Sequence, residues 1–118
     1  MPESTVIGAG TSICENVRIG PNVTIGKHCI ICFGASIGHD VVIEDYSFIG
    51  ERVILSGAVH VGEGALVGIG AVVTPRRSVG ACSSVMAQSA VCHDVPERHA
   101  CGGVPAVDFG PTSKVRLI

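Results

Sequence analysis

The sequence predicts an all-β protein: a parallel β-helix of about five triangular coils, closed by a short C-terminal cap. Three observations carry that prediction. An aliphatic residue recurs every six positions from Ile7 to Val91, through fifteen hexads with no insertion. The residue two before it is small or β-branched in every hexad but one, where Arg77 stands. Glycine directly follows the aliphatic in eight of the hexads.

A six-residue period matches neither an amphipathic helix nor an isolated strand. It suits a coil in which each hexad supplies a short strand and a corner. The aliphatic and its small partner, two positions apart, point inward together, as strand alternation requires. The glycine-rich half turns the corner, where positive φ costs little for a residue without Cβ. Three hexads close one coil, so residues eighteen apart stack at about 4.8 Å. Residues 1–95 are therefore expected to form the β-helix. Residues 96–118 are expected to be a capping tail, starting at Pro96, where regular pairing should stop.

Composition agrees and narrows the function. The 118 residues are 47% hydrophobic but only 3% aromatic, which suits a narrow prism filled with stacked branched aliphatics. Charged residues make up 15%, below the roughly 25% of an average protein, so partner chains are expected to cover part of the surface. A net charge of −2 without a basic run argues against nucleic acid as a partner. No apolar run nears the roughly 20 residues of a membrane span, and the first residues are no signal peptide. The expectation is a cytoplasmic chain with no membrane partner. The cysteines, at 14, 29, 32, 82, 92 and 101, include one lone CxxC pair. Cys29 falls on an inward position and Cys32 on a corner, so no shared metal is expected. Small thiols in a reducing compartment account for all six.

Taken in order, residues 1–5 are a short polar lead-in, placed to cover the open strand edges of the first coil. The corners of that coil read Gly-Ala-Gly, Cys-Glu-Asn and Gly-Pro-Asn, which are turn residues. Chemistry enters with the second coil. His39 is the second residue after Ile37, so it projects from a corner, and the register stacks Gly57 directly above it. Gly57 offers a notch without a side chain and a backbone N–H. Acyl transfer needs that pairing: an imidazole to take a proton from the nucleophile and an N–H for the oxyanion. The spacing of His28, His39 and His60 does not resemble a β-helical carbonic anhydrase, and no rank of threonines suggests ice binding.

The stretch from His39-Asp40 through Ser56-Gly57, with a Gly-Val-Pro-Ala at residues 103–106, resembles the bacterial sugar O- and N-acetyltransferases of the sialic acid O-acetyltransferase family. The match spans about residues 6–106. It implies a left-handed coil, an exception to the usual right-handed crossover, acetyl-CoA as co-substrate with no metal, and a homotrimer with active sites between subunits. Carried over by position, His39 is the general base, Asp40 orients its ring, and the Gly57 N–H holds the thioester carbonyl. Gly68, Ile69, Gly70 and Ala87 match positions lining the coenzyme A groove. Cys32-Phe33 stand where the family commonly has Asn-Thr near the acceptor, and Phe48 where it often has a second histidine. Both departures make the acceptor pocket less polar. Many members also carry an N-terminal nucleotide-sugar domain that is missing here, which points to a different acceptor, a fragment or a chain that has lost its activity.

In the third and fourth coils, Glu44, Asp45, Tyr46, Glu51 and Arg52 read as a solvated face or subunit contacts, and His60 as exposed. Arg77, in the inward column, must snorkel outward or mark a bulge. Arg76, Arg77, Lys114 and Arg116 are candidates for coenzyme A phosphates. Two alternatives stay open beside an acetyltransferase acting on a sugar or similar small acceptor. One is a non-catalytic β-helical scaffold, and the other is an acyltransferase for a non-sugar acceptor.

Overall fold

The computed structural model describes residues 4–114. Over them the chain forms a left-handed parallel β-helix. Fifteen two-residue strands, from Val6–Ile7 to Ala90–Val91, recur every six residues. Each stacks in parallel on the strand eighteen residues away, as Val42–Ile43 does on Thr24–Ile25 and His60–Val61 on Val42–Ile43. Three sheets result, and they are the three faces of a prism. The first face carries Val6, Thr24, Val42, His60 and Ser78 outward; the second carries Ser12, Ile30, Phe48, Leu66 and Ser84; the third carries Arg18, Ser36, Ile54, Val72 and Ala90.

The core is made of the inward columns. Ile25, Ile43, Val61 and Val79 are buried in one stack, and Ile31, Ile49, Val67 and Val85 in the next. Branched residues suit this geometry because their stiff side chains pack on similar neighbours above and below. The buried Ser47 is satisfied without leaving its column: its hydroxyl lies within bonding distance of the Glu44 and Gly62 carbonyls. Cys29 lies in the core, with its thiol directed at the Glu44 carbonyl. In the first coil Ile7, Ile13, Val17 and Ile19 are only partly buried, so the base of the core is thinly covered by the described residues.

The corner glycines do a different job from the one their position suggests. None of the eight that follow the aliphatic has positive φ. The left-handed residue stands two positions further on and is usually not glycine: Asn22, Asp40, Ala58 and Arg76 hold it on one corner. That backbone turns the residue's N–H down onto the coil below. Asp40 thus donates to Pro21 O at 3.0 Å and Ala58 to His39 O at 2.8 Å. The glycines make room instead. A Cβ on Gly62 would lie 2.5 Å from the Ala81 nitrogen, and one on Gly38 2.9 Å from the Gly57 nitrogen. At these glycines a Cβ would press on the backbone of the coil above, whereas the other seven hexads carry Cys, Glu, Ser, Thr or Met at the same position.

Arg77 makes no bulge. Its carbonyl accepts the His60 N–H at 3.0 Å in the regular ladder, and its side chain is half-buried. Pro96 does not end the pairing either. Val95 bridges Val79, sixteen residues away, because the corner at residues 92–94 is two residues short. The Asp94 carboxylate supplies the acceptor lost there, taking the Ser78 N–H at 2.9 Å. The strand His99–Gly103 then pairs in parallel with Ser84–Val85, and Ala106–Pro111 folds back antiparallel on it as the last strand of the second face. A 3-10 turn follows at Thr112–Lys114. Arg116 lies outside the described residues.

Two histidines hold this closing hairpin. His99 Nδ1 lies 2.9 Å from Asp108. His93 places Nδ1 3.1 Å from Asp94 O and Nε2 2.8 Å from Ala106 O. Both partners of His93 are carbonyls, so only the protonated ring can donate to both. Its pKa is raised, first by the bond to Asp94 O, then by that to Ala106 O and by Asp108, against burial and the Arg77 charge. A raised folded pKa stabilises fully below the unfolded value of about 6.5 and is lost as pH rises through the folded value. Hydrogen exchange of the Ala106–Pro111 amides, corrected for intrinsic rates, should show easier opening at about pH 8 than at about pH 5.5, with His93→Ala flattening that difference.

The two corner positions separate by mutation. Gly62→Ala forces backbone against backbone and should cost roughly 1–3 kcal/mol in urea unfolding. Gln88→Gly, at φ 59°, trades left-handed strain against chain entropy and should stay within about 1 kcal/mol of the parent.

Candidate active site

The corner between the third and first faces carries two columns. Pro21, His39, Gly57 and Pro75 stack in one, and Asn22, Asp40, Ala58 and Arg76 in the other. The eighteen-residue register is what sets side chains far apart in sequence directly above one another. Proline fits the first column because the N–H there takes no part in the corner ladder; Gly57 N–H has no hydrogen-bond partner among the described residues.

The His39 ring lies over Gly57. A Cβ on Gly57 would overlap the imidazole, 2.5 Å from Cε1 and closer still to Nε2. The notch foreseen above His39 is thus filled by the His39 ring itself. Gly57 has no positive φ, so the penalty for a side chain there comes from contact with the ring and not from backbone strain. His39 Nδ1 lies 2.9 Å from Asp40 Oδ2. That pairing places the proton of the neutral ring on Nδ1 and leaves Nε2 with its lone pair. The carboxylate is held from its other side by Asn22, whose amide donates to Asp40 Oδ1 at 2.5 Å. Asp40 therefore titrates below the ordinary carboxylate value, first through Asn22 and then through His39. A pocket of about 270 Å³ opens here, lined by His39, Gly57, Ala58, Pro75 and Arg76.

The remaining sequence candidates lie elsewhere on the chain. Cys32, Phe33, Gly68, Ile69, Gly70 and Ala87 are all on the corner between the second and third faces, and Phe48 is on the second face beside Ile30 and Leu66. Within one chain the third face separates this group from His39 and Gly57. Gly68 and Gly70 have structural reasons of their own. A Cβ on Gly68 would lie 2.7 Å from the Ala87 nitrogen, and Gly70 has φ +72°. Burial, followed by the Glu51 carboxylate, pushes the Cys32 thiol pKa up. Phe33 and Ile69 on this corner and Ile30 and Leu66 on the adjoining second face are exposed, which makes an apolar edge. His60, read as exposed, pairs with Glu44, and His28 stacks on Tyr46 with ring centroids 5.5 Å apart. Among the described residues no group of three or more His, Cys, Asp or Glu is placed to hold a metal ion.

Sequence reasoning missed Asn22 and Ala58 as parts of this site and placed Arg76 only as a phosphate candidate. Their signal lay in the spacing: Asn22, Ala58 and Arg76 are each a multiple of eighteen residues from Asp40.

A family model for the bacterial transferase hexapeptide, six repeats long, matches residues 4–39. The chain is a hexapeptide-repeat protein. A mutant of perosamine N-acetyltransferase from Caulobacter crescentus, solved with CoA and GDP-perosamine, superposes with a TM-score of 0.90 at 34% identity, covering 92% of this chain and 51% of that one. The acetyltransferase domain of PglB from Neisseria gonorrhoeae, in complex with acetyl coenzyme A, superposes at 0.89 with 23% identity, over 91% of this chain and 52% of that one, a likeness of fold. UDP-3-O-acylglucosamine N-acyltransferase of Methylorubrum extorquens is 34% identical over 102 residues, 86% of this chain and 24% of that protein. The hexapeptide-repeat chain thus spans about a quarter of the curated relative and half of the structural neighbours.

Gly57→Ala separates fold from site. The unfolding free energy should stay within about 1 kcal/mol of the parent, because the backbone there accepts a side chain. A crystal structure of the variant should show the His39 ring rotated away and its bond to Asp40 broken.

Proposed function

We propose that the protein is an acyltransferase that moves an acetyl group from acetyl-CoA to an amine or hydroxyl of a small acceptor. The observation that carries this reading is the stacking of the His39 imidazole on Gly57, whose N–H is free among the described residues. Nε2 takes the proton of the acceptor as its nitrogen or oxygen attacks the thioester carbonyl. The oxyanion that forms is held by the Gly57 N–H. Collapse of the tetrahedral intermediate breaks the carbon–sulfur bond, and the imidazolium returns its proton to the departing thiolate. Asp40 keeps the ring in the tautomer this sequence of transfers needs.

Coenzyme A fits as co-substrate because one pocket joins a base, a free N–H and the cation of Arg76. The perosamine N-acetyltransferase and PglB structures, solved with CoA and acetyl coenzyme A, support that choice. Ile69 and Ala87 reach the same thioester only from a second copy, since they stand on another corner of their own chain. The reading is therefore a homotrimer in which the apolar edge of one prism meets the His39 corner of the next. The exposure of Ile30, Phe33, Leu66 and Ile69 supports such packing. Free thiols at all six cysteines fit work in the cytoplasm.

Phe33, Cys32 and Phe48 favour a second reading of the acceptor: a small amine with an apolar portion in place of a sugar. Release of free CoA thiol from acetyl-CoA, followed across a panel of amino sugars and small amines, decides between the two. His39→Ala should lower turnover on the accepted compound by about 10²–10⁴-fold. Unchanged turnover in that variant would contradict the proposal.

A further inference from the structure

We propose that Asn22, one coil below Asp40 on the same corner, is a positioning residue for the His39 base. The inference rests on the reading of His39 as general base. Asp40 has two carboxylate oxygens, and each is engaged by a different side chain. Oδ2 faces His39 Nδ1 at 2.9 Å, and Oδ1 accepts the Asn22 amide at 2.5 Å. With only the histidine as partner, the carboxylate would turn freely about its Cβ–Cγ bond, because it lies on an exposed corner. The amide removes that freedom. Asn22 is itself anchored, with φ 61° and its backbone N–H donating to Ser4 Oγ at 2.7 Å. The backbone of Asp40 is pinned to the same coil by its N–H on Pro21 O at 3.0 Å. An ordered chain of hydrogen bonds therefore runs up the corner from Ser4 through Asn22 and Asp40 to the ring. The amide also stabilises the carboxylate form of Asp40, the form that accepts from Nδ1–H.

The test reads the ring directly, by 15N NMR of the His39 nitrogens in the full chain, well above a pH of about 6.5. In the parent the neutral ring should carry its proton on Nδ1. Asn22→Gly keeps the left-handed backbone and removes only the amide, and should shift much of the population to the Nε2–H tautomer. Asn22→Ala, a residue type this corner already carries at Ala58 with φ 60°, also removes the amide and should do the same. Asp40→Ala is the reference for complete loss of the pairing. If both Asn22 variants keep the parent tautomer while Asp40→Ala changes it, the role of Asn22 is overturned and that of His39 stands. If Asp40→Ala also leaves the tautomer unchanged, the Asp40–His39 pairing under the catalytic reading fails as well.

Discussion

The structure depends on one constraint: each coil lies on the next at strand spacing, in an eighteen-residue register that never slips between residues 6 and 79. Backbone ladders run along the faces and also across the corners, where a left-handed residue turns its N–H onto the coil below. Once that register is set, a corner residue has no choice of neighbour. His39 has Pro21 beneath it and Gly57 above, and Asp40 has Asn22 beneath and Ala58 above. A site on such a scaffold is a column. Its precision comes from the rigidity of the ladder and not from a shaped loop, which suits chemistry that depends on fixed placement of base and oxyanion donor.

The same constraint explains why so much was legible. The hexads place every inward residue of the fifteen strands, because the pattern of burial and the pattern of stacking share one period. His39 over Gly57 followed from counting eighteen. What escaped was whatever the count does not encode. Glycine after the aliphatic serves a steric need, but its identity alone suggests a turn. The left-handed position is hidden because Asn, Asp, Tyr, Arg, Gln and Cys all fill it. The top coil was lost at the two-residue shortening near Asp94, after which Val95 and Cys101 continue the inward columns out of phase. No periodicity announces that a side-chain carboxylate will stand in for a backbone carbonyl, as Asp94 does for Ser78.

Of the candidate site, the stacking of His39 on Gly57 was legible and the distance to the other candidates was not. The register pointed to His39 and Gly57 and the family resemblance to Asp40, and the fold joins the three at one corner. It also separates them from Ile69, Ala87, Cys32 and Phe33, which share the opposite edge of the third face. A single prism presents His39 and the Gly57 N–H on one corner and an apolar ridge on another. Under the proposed trimer, the surface that would be a liability on a lone chain would become the wall of a neighbour's site. On that proposal oligomer and active site would be one assembly problem.

The most direct test is calorimetric titration of the purified protein with acetyl-CoA, with its mass in solution recorded in the same buffer. Saturable binding of one acetyl-CoA per chain to a trimer is the predicted result. A protein that takes up no acetyl-CoA at millimolar ligand would contradict the acyltransferase reading, and would leave the His39–Gly57 stack as a structural corner of a β-helical scaffold.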